Sequence, residues 1–163
     1  MVQYPAWRET RISGCAHRAI VHMEVLAGAA FVSSVDGVFQ SKTDLKKAVD
    51  EWVLEAAANY GPISDWDTSR VDNMFGLFEG MTTFNENVGG WDTSRVTTME
   101  YTFYDAKAFN QALDWDTSSV TTMYRTFKAA CAFNSELVWD TSRVTEMYGT
   151  FNDAEAFHRA LDW

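Results

Sequence analysis

Four aspartates recur at nearly constant spacing in the second half of the sequence, and their carboxylates are the strongest candidates for metal chemistry. They are Asp67, Asp92, Asp116 and Asp140, each placed between a tryptophan and a Thr-Ser pair. Carboxylate oxygens are the ligands that Ca²⁺ prefers in proteins. Calcium-binding repeats also carry dense Gly-Asp spacing, which is absent here. We therefore predict that these aspartates act as helix N-caps without a bound metal, and we keep calcium binding as the alternative.

A second polar series consists of Asn85, Asn110 and Asn134, with His158 at the corresponding place in the last copy. Asparagine side chains satisfy the backbone of turns and the amides of neighbouring copies. A structural ladder is therefore the prediction for this series. The rival hypothesis is a carbohydrate-binding module that uses the aspartate, asparagine and tyrosine series together.

Aromatic and basic side chains form a third candidate group, at places where the copies differ from one another. Tyrosine and arginine are enriched at the energetically dominant centres of protein interfaces. The pattern predicts a protein-binding strip, and the alternative is a set of ordinary, partly exposed aromatics. The candidate residues are Phe75, Tyr101, Tyr104, Tyr124, Arg125, Lys128 and Tyr148.

No motif for nucleotide binding, zinc proteolysis, serine hydrolysis or phosphoryl transfer is present. The two cysteines, Cys15 and Cys131, lie far apart and are predicted to be buried thiols. A net charge of −10 disfavours partners made of nucleic acid or anionic lipid. No apolar run reaches the roughly 20 residues of a membrane span. We therefore predict a protein without catalytic residues, cofactor or metal, whose partners are other proteins.

The elements that position these side chains follow from an internal repeat. Tryptophans 66, 91, 115, 139 and 163 are spaced 25, 24, 24 and 24 residues apart, which is typical of a solenoid. With each tryptophan as position one, apolar residues at positions 6, 9, 13 and 16 predict a helix of about three turns. A Leu-x-Trp alternation predicts a very short strand that pairs in parallel with its neighbours. The predicted fold class is α/β, a solenoid of four 24–25-residue coils, each with a short strand and a helix.

Stacked coils would align identical side chains in ladders. The expected ladders are Trp66, Trp91, Trp115, Trp139 and Trp163; Phe78, Phe103, Phe127 and Phe151; Phe84, Phe109, Phe133 and Phe157; and Met74, Met99, Met123 and Met147. At this spacing the methionines are predicted to be core residues.

Two segments precede the repeats. Residues 41–62 are predicted to form a capping helix, with Ser41 or Thr43 as N-cap and Gly61-Pro62 at its end. Residues 1–40 are predicted to be an N-terminal arm, with a degenerate targeting segment as the alternative. The Ala29-Ala30-Phe31 step resembles the cleavage junction of plastid-targeting signals in algae with complex plastids. The solenoid is assigned to residues 63–163.

The string Trp-Asp-Thr-Ser-x-Val-Thr-x-Met-x-x-x-Phe, followed by Ala-Phe-Asn, resembles the BspA-like leucine-rich repeat family, also called mycoplasma-lipoprotein-type surface repeats. This resemblance implies a leucine-rich-repeat-like solenoid that recognises proteins, often at cell surfaces or in secreted form, without catalysis. A clear secretory signal is missing, and Trp163 opens a coil that is not completed. The expected function is a non-catalytic scaffold, either a surface or adhesion protein or an accessory subunit of a larger assembly, with a plastid as one candidate compartment.

Overall fold

A computed structural model describes residues 38–52 and 60–161 of the 163-residue chain. Helix α1, Lys42–Trp52, begins after Ser41, whose Oγ accepts a hydrogen bond from the Asp44 N–H at 3.3 Å. Its apolar face buries Leu45, Ala48 and Val49, as its amphipathic pattern requires. The predicted arm up to residue 37, and residues 53–59 of the predicted capping helix, lie outside the described part of the chain.

After a 3-10 helix at Ile63–Asp65, the chain forms four repeats that lie against one another with a constant offset. We number them repeat 1 (66–90), repeat 2 (91–114), repeat 3 (115–138) and repeat 4 (139–161). Main-chain N–H groups of alternate residues donate to carbonyls of the next repeat, as in Tyr101 to Tyr124 at 3.1 Å. Isolated parallel bridges join Asn73 to Thr98, Thr98 to Thr122, and Thr122 to Glu146. Equivalent positions of successive repeats therefore lie side by side.

The predicted α/β solenoid, with a helix and a short strand in each coil, is wrong. Residues 66–161 contain no α-helix, and their pairing consists of isolated bridges without a continuous strand. The N–H groups of Tyr101 and Phe103 donate to carbonyls of the next repeat. The N–H group of Thr102, between them, donates to the Met99 carbonyl, three residues back in its own repeat. An α-helix needs consecutive N–H groups to reach four residues back, so this alternation excludes it.

Left-handed backbone conformations also exclude the predicted helices. Two positions in every repeat have positive φ, whereas an α-helix requires φ near −63°. The first position is occupied by Gly76, Tyr101, Arg125 and Gly149, and the second by Gly80, Asp105, Ala129 and Asp153. The chain therefore turns sharply at fixed intervals, and this turning produces the spacing of apolar residues that predicts a helix.

The core consists of aromatic side chains that stack between repeats. Rings of Phe78, Phe103, Phe127 and Phe151 have centroids 5.0, 5.3 and 5.5 Å apart. Rings of Phe84, Phe109, Phe133 and Phe157 follow at 5.9, 6.0 and 5.9 Å. Indoles stack at 6.2 Å between Trp66 and Trp91 and at 6.3 Å between Trp115 and Trp139. Met74, Met99 and Met123 are fully buried beside them, whereas Trp163 lies outside the described residues.

Buried hydroxyl and indole N–H groups form hydrogen bonds between the repeats. The Thr126 hydroxyl lies within 2.9 Å of two carbonyls, Met123 in its own repeat and Met99 in the preceding one. Thr102 and Thr150 make the equivalent contacts. The Trp91 indole N–H donates to the Ile63 carbonyl at 2.8 Å. These bonds provide partners for polar groups that the apolar stack buries.

Cys131 is disulfide-bonded, so its prediction as a buried thiol is wrong. Cys15 lies outside the described residues.

Candidate interaction surface

The four aspartates occupy equivalent places, and each accepts a hydrogen bond from the serine two residues later. The Oδ1 to backbone N distances are 2.9 Å for Asp67, 3.0 Å for Asp92, 3.0 Å for Asp116 and 2.9 Å for Asp140. The predicted helix N-cap is wrong, because no α-helix follows. The carboxylate instead stabilises a turn, which the Val96 N–H closes onto the Thr93 carbonyl at 2.8 Å.

Hydrogen bonds with the serines lower the pKa of three of these carboxylates. The largest contribution comes from the Ser69 side chain for Asp67, the Ser118 side chain for Asp116 and the Ser142 backbone for Asp140. Each carboxylate therefore remains charged to a lower pH than an unbonded one. Within residues 38–52 and 60–161, no group of three or more His, Cys, Asp or Glu side chains could hold a metal ion.

The asparagine series forms a continuous ladder on the surface. Asn85 Oδ1 accepts from the Asn110 N–H at 2.8 Å, and Asn110 Oδ1 accepts from the Asn134 N–H at the same distance. Asn134 Oδ1 then accepts from the His158 N–H at 3.2 Å. The side-chain oxygen of each asparagine thus accepts a hydrogen bond from the main chain of the next repeat, which is a structural role.

Five of the seven aromatic and basic candidates are brought together as a strip of rings across all four repeats. Their centroids lie 5.4 Å apart for Phe75 and Tyr101, 5.4 Å for Tyr101 and Tyr124, and 5.9 Å for Tyr124 and Tyr148. Tyr104 joins from the side, 5.6 Å from Tyr101. We call Phe75, Tyr101, Tyr104, Tyr124 and Tyr148 the aromatic strip.

The strip is accessible to a partner, and most strongly so at its two ends. Phe75 is 41% exposed and Tyr148 is 68% exposed, while the three rings between them are half-buried. A cavity of about 520 Å³, lined by residues 147–152 and Leu161, adjoins the Tyr148 end. A surface that is apolar, contiguous and bordered by a recess has the general properties of a recognition site.

Two cationic side chains lie over rings of the strip, and a third pairs with a carboxylate beside it. Lys42 Nζ lies 5.4 Å from the Phe75 ring centre, and the Arg125 guanidinium lies 4.8 Å from that of Tyr124. Both distances are within the range of cation–π contacts. Lys128 makes no ring contact within the described residues and instead pairs with Asp153 at 4.0 Å. The structure therefore places Lys128 at the margin of the strip.

Partial burial raises the pKa of the Tyr124 phenol, and the neighbouring Tyr101 phenol raises it further. Tyr124 therefore stays neutral throughout the physiological range, and its hydroxyl is an uncharged hydrogen-bonding group within the strip.

Among the described residues, no helix is both long enough and apolar enough to cross a membrane. A family profile described as "Mycoplasma protein of unknown function, DUF285" matches residues 34–163 of the chain. No match was found among curated proteins or among solved structures.

Proposed function

The chain belongs to the DUF285 family, and from this premise we propose that it is a non-catalytic module that binds other proteins through the aromatic strip. The observation that carries the proposal is the contact of five aromatic side chains, contributed by four separate repeats, on one accessible face. Tyrosines that are held by their neighbours lose little side-chain entropy when a partner covers them, so they are efficient binding residues.

The charge of the chain narrows the kind of partner. With a net charge of −10, the protein associates most readily with a basic surface, because complementary potentials raise the association rate. Phenol rings favour such a partner as well, since arginine and lysine side chains stack on aromatic faces.

Two biological settings belong to this proposal. One is a surface or adhesion protein, which would follow from a closer relation to BspA-like repeat proteins within the family. The other is an accessory subunit of a larger assembly. Both settings need an exposed recognition face and neither needs a catalytic group, so the same experiment tests the shared proposal.

The experiment compares partner retention by the wild type and by a Tyr124→Ala/Tyr148→Ala double variant. Proteins retained from an extract of the source cells are identified by mass spectrometry, and the affinity of the main partner is then measured. We expect the double variant to bind at least about 30-fold more weakly, which corresponds to ~2 kcal/mol, the scale of a dominant interface residue. Val138→Ala is the matched control, because Val138 is 86% exposed and lies outside the strip. Equal affinity of wild type and double variant would exclude the strip as the main binding site.

A further inference from the structure

Tyr148 is more exposed to solvent than any tryptophan, methionine or cysteine of the described repeats. The indoles of Trp66, Trp91, Trp115 and Trp139 are at most 5% exposed. Met74, Met99 and Met123 are fully buried, and Met81 and Met147 are partly buried. A one-electron oxidant in solution therefore meets Tyr148, at 68% exposure, before it meets the core.

The backbone fixes the distance between Tyr148 and its neighbour Tyr124. The residues on both sides of Tyr124 donate N–H groups to repeat 4: Met123 to the Glu146 carbonyl at 2.8 Å and Arg125 to the Tyr148 carbonyl at 3.1 Å. The Tyr148 N–H is held by Glu146 Oε1 at 2.7 Å. Both phenols are thus presented from adjacent, hydrogen-bonded segments, and their proximity does not depend on a chance encounter of mobile side chains.

The rings of this pair lie nearly parallel, with an interplanar angle of 21° and centroids 5.9 Å apart. The two rings are therefore stacked across the boundary between repeats 3 and 4. The Tyr101–Tyr124 pair is 5.4 Å apart, but its rings meet edge to face at 66° and both are half-buried. Geometry and access together favour Tyr124 and Tyr148.

We propose that Tyr124 and Tyr148 form a site of oxidative modification, at which hydrogen peroxide and a peroxidase join them in a dityrosine cross-link between repeats 3 and 4. Each phenol gives up one electron and its hydroxyl proton. The two radicals join through the ring carbons next to the hydroxyls, and the hydrogens on these carbons return to the oxygens. Hydrogen peroxide accepts the two electrons and two protons and becomes two molecules of water.

The cross-link changes the stability of the last repeat. Repeat 4 is held in the described structure through one neighbour, repeat 3, so a covalent bond between them opposes separation of the two. It restricts the unfolded chain in the same way as any other covalent bridge that closes a loop. This inference does not depend on the proposed binding function, because the reaction needs no partner protein.

The test treats the full chain, at a concentration of ~10 µM, with peroxidase and hydrogen peroxide. Groups held together within one molecule have effective concentrations in the millimolar range, so coupling within a chain exceeds coupling between chains by about 100-fold. We expect a monomer whose mass is lower by two hydrogen atoms, with dityrosine fluorescence and a cross-linked peptide pair that contains Tyr124 and Tyr148. Methionine oxidation adds oxygen and is distinguished by mass.

Three Tyr→Phe variants, each of which lacks one phenol oxygen, complete the test. Tyr148→Phe and Tyr124→Phe keep the rings and remove the reactive hydroxyl, so each abolishes the intramolecular product. Tyr101→Phe is the control and retains it. Unchanged near-ultraviolet circular dichroism verifies that each variant is folded. The proposal is overturned if the product persists in Tyr148→Phe, if peptide mapping assigns it to Tyr101 and Tyr124, or if only cross-linked dimers form.

Discussion

Repeats 3 and 4 carry the same apolar side chains at their core positions, yet these side chains are buried to different degrees. Val120, Met123 and Phe127 of repeat 3 are fully buried, whereas their equivalents in repeat 4, among them Phe151, are half-buried. Repeat 3 is covered on both sides and repeat 4 is covered by repeat 3. The comparison teaches that burial in this molecule is a property of the neighbouring repeats, and that equal residues contribute unequally to stability.

The largest difference is expected when the equivalent phenylalanines are truncated. Phe127→Ala leaves a cavity between two repeats and is expected to lower the free energy of unfolding by roughly 3–5 kcal/mol. Phe151→Ala removes a half-buried ring and is expected to cost about half as much. Urea denaturation followed by circular dichroism measures both. If Phe127→Ala does not fold, Phe127→Leu and Phe151→Leu replace the pair, and equal losses would contradict the comparison.

A smaller effect tests how tightly an interior contact is packed. A Cβ added to Gly89 would lie 2.3 Å from the carbonyl oxygen of Ala112, in the adjacent repeat, so one segment must shift. Gly89→Ala is expected to cost roughly 1–3 kcal/mol, the usual range for overpacking. Gly90→Ala is the matched control, since no atom lies within 4 Å of its added Cβ. Thermal melting measures the stability of both variants. Equal melting temperatures would show that the main chain can move away from the added Cβ at little cost in free energy.

Relief of backbone strain should change the stability of repeats 3 and 4 equally, because this strain depends on the φ angle of one residue and not on the neighbouring repeats. Ala129 has φ of 58° and Asp153, its equivalent in repeat 4, has φ of 59°. Glycine relieves the left-handed strain of roughly 1 kcal/mol but adds entropy to the unfolded chain, so Ala129→Gly is expected to stabilise by about 0.5 kcal/mol. Asp153→Gly is expected to stabilise by a similar amount, because the ion pair with Lys128 that it removes is long, involves an exposed carboxylate and contributes little. The control Ala130→Gly, at a buried position without positive φ, should destabilise. Denaturant midpoints separate the signs, and stabilisation of repeat 4 alone would contradict this expectation.

The smallest expected effect is on the loss of stability at low pH. Asp116 and Asp140 have a pKa below the ordinary value of 3.8, so their contribution is complete above that value and is lost as pH falls through the lower, folded pKa. Asp116→Asn and Asp140→Asn retain an oxygen that accepts from the serine N–H but do not titrate. Each is expected to flatten the loss of stability between pH 5 and 2 by a similar small amount, measured from melting curves. A clearly larger change for Asp116 would show that electrostatic effects also depend on the number of neighbouring repeats.

The sequence predicts the contacts between repeats far better than the path of the chain within one repeat. A spacing of 24–25 residues is enough to pair Phe103 with Phe127, because identical side chains can align only when the repeats lie in register. The helix prediction failed because an apolar spacing of three and four residues arises equally from successive turns. A signal was available: Gly76 and Gly149 occupy the position at which Tyr101 and Arg125 adopt positive φ. Glycine at equivalent positions of two copies indicates a left-handed residue in every copy.

The candidate surface was predictable to a similar extent. The tyrosines could be assigned to one face, because they occupy neighbouring positions in the repeat. The separation of Lys128 from the rings could not be predicted, because it depends on Asp153 in the next repeat. The buried hydroxyl of Thr126 was equally hard to recognise, since its two acceptors are main-chain carbonyls whose positions no side-chain pattern reveals.

The regular offset of the main-chain hydrogen bonds limits how genes for such proteins can change in length. Deletion or duplication of one whole unit leaves every donor opposite an equivalent acceptor, whereas loss of a single residue inside residues 99–106 would displace the phenylalanine column. The exception is the segment around Gly89 and Gly90, where repeat 1 carries one residue more than the repeats that follow. Unequal recombination between copies, which adds or removes complete units, is therefore the mutational route that this architecture tolerates best.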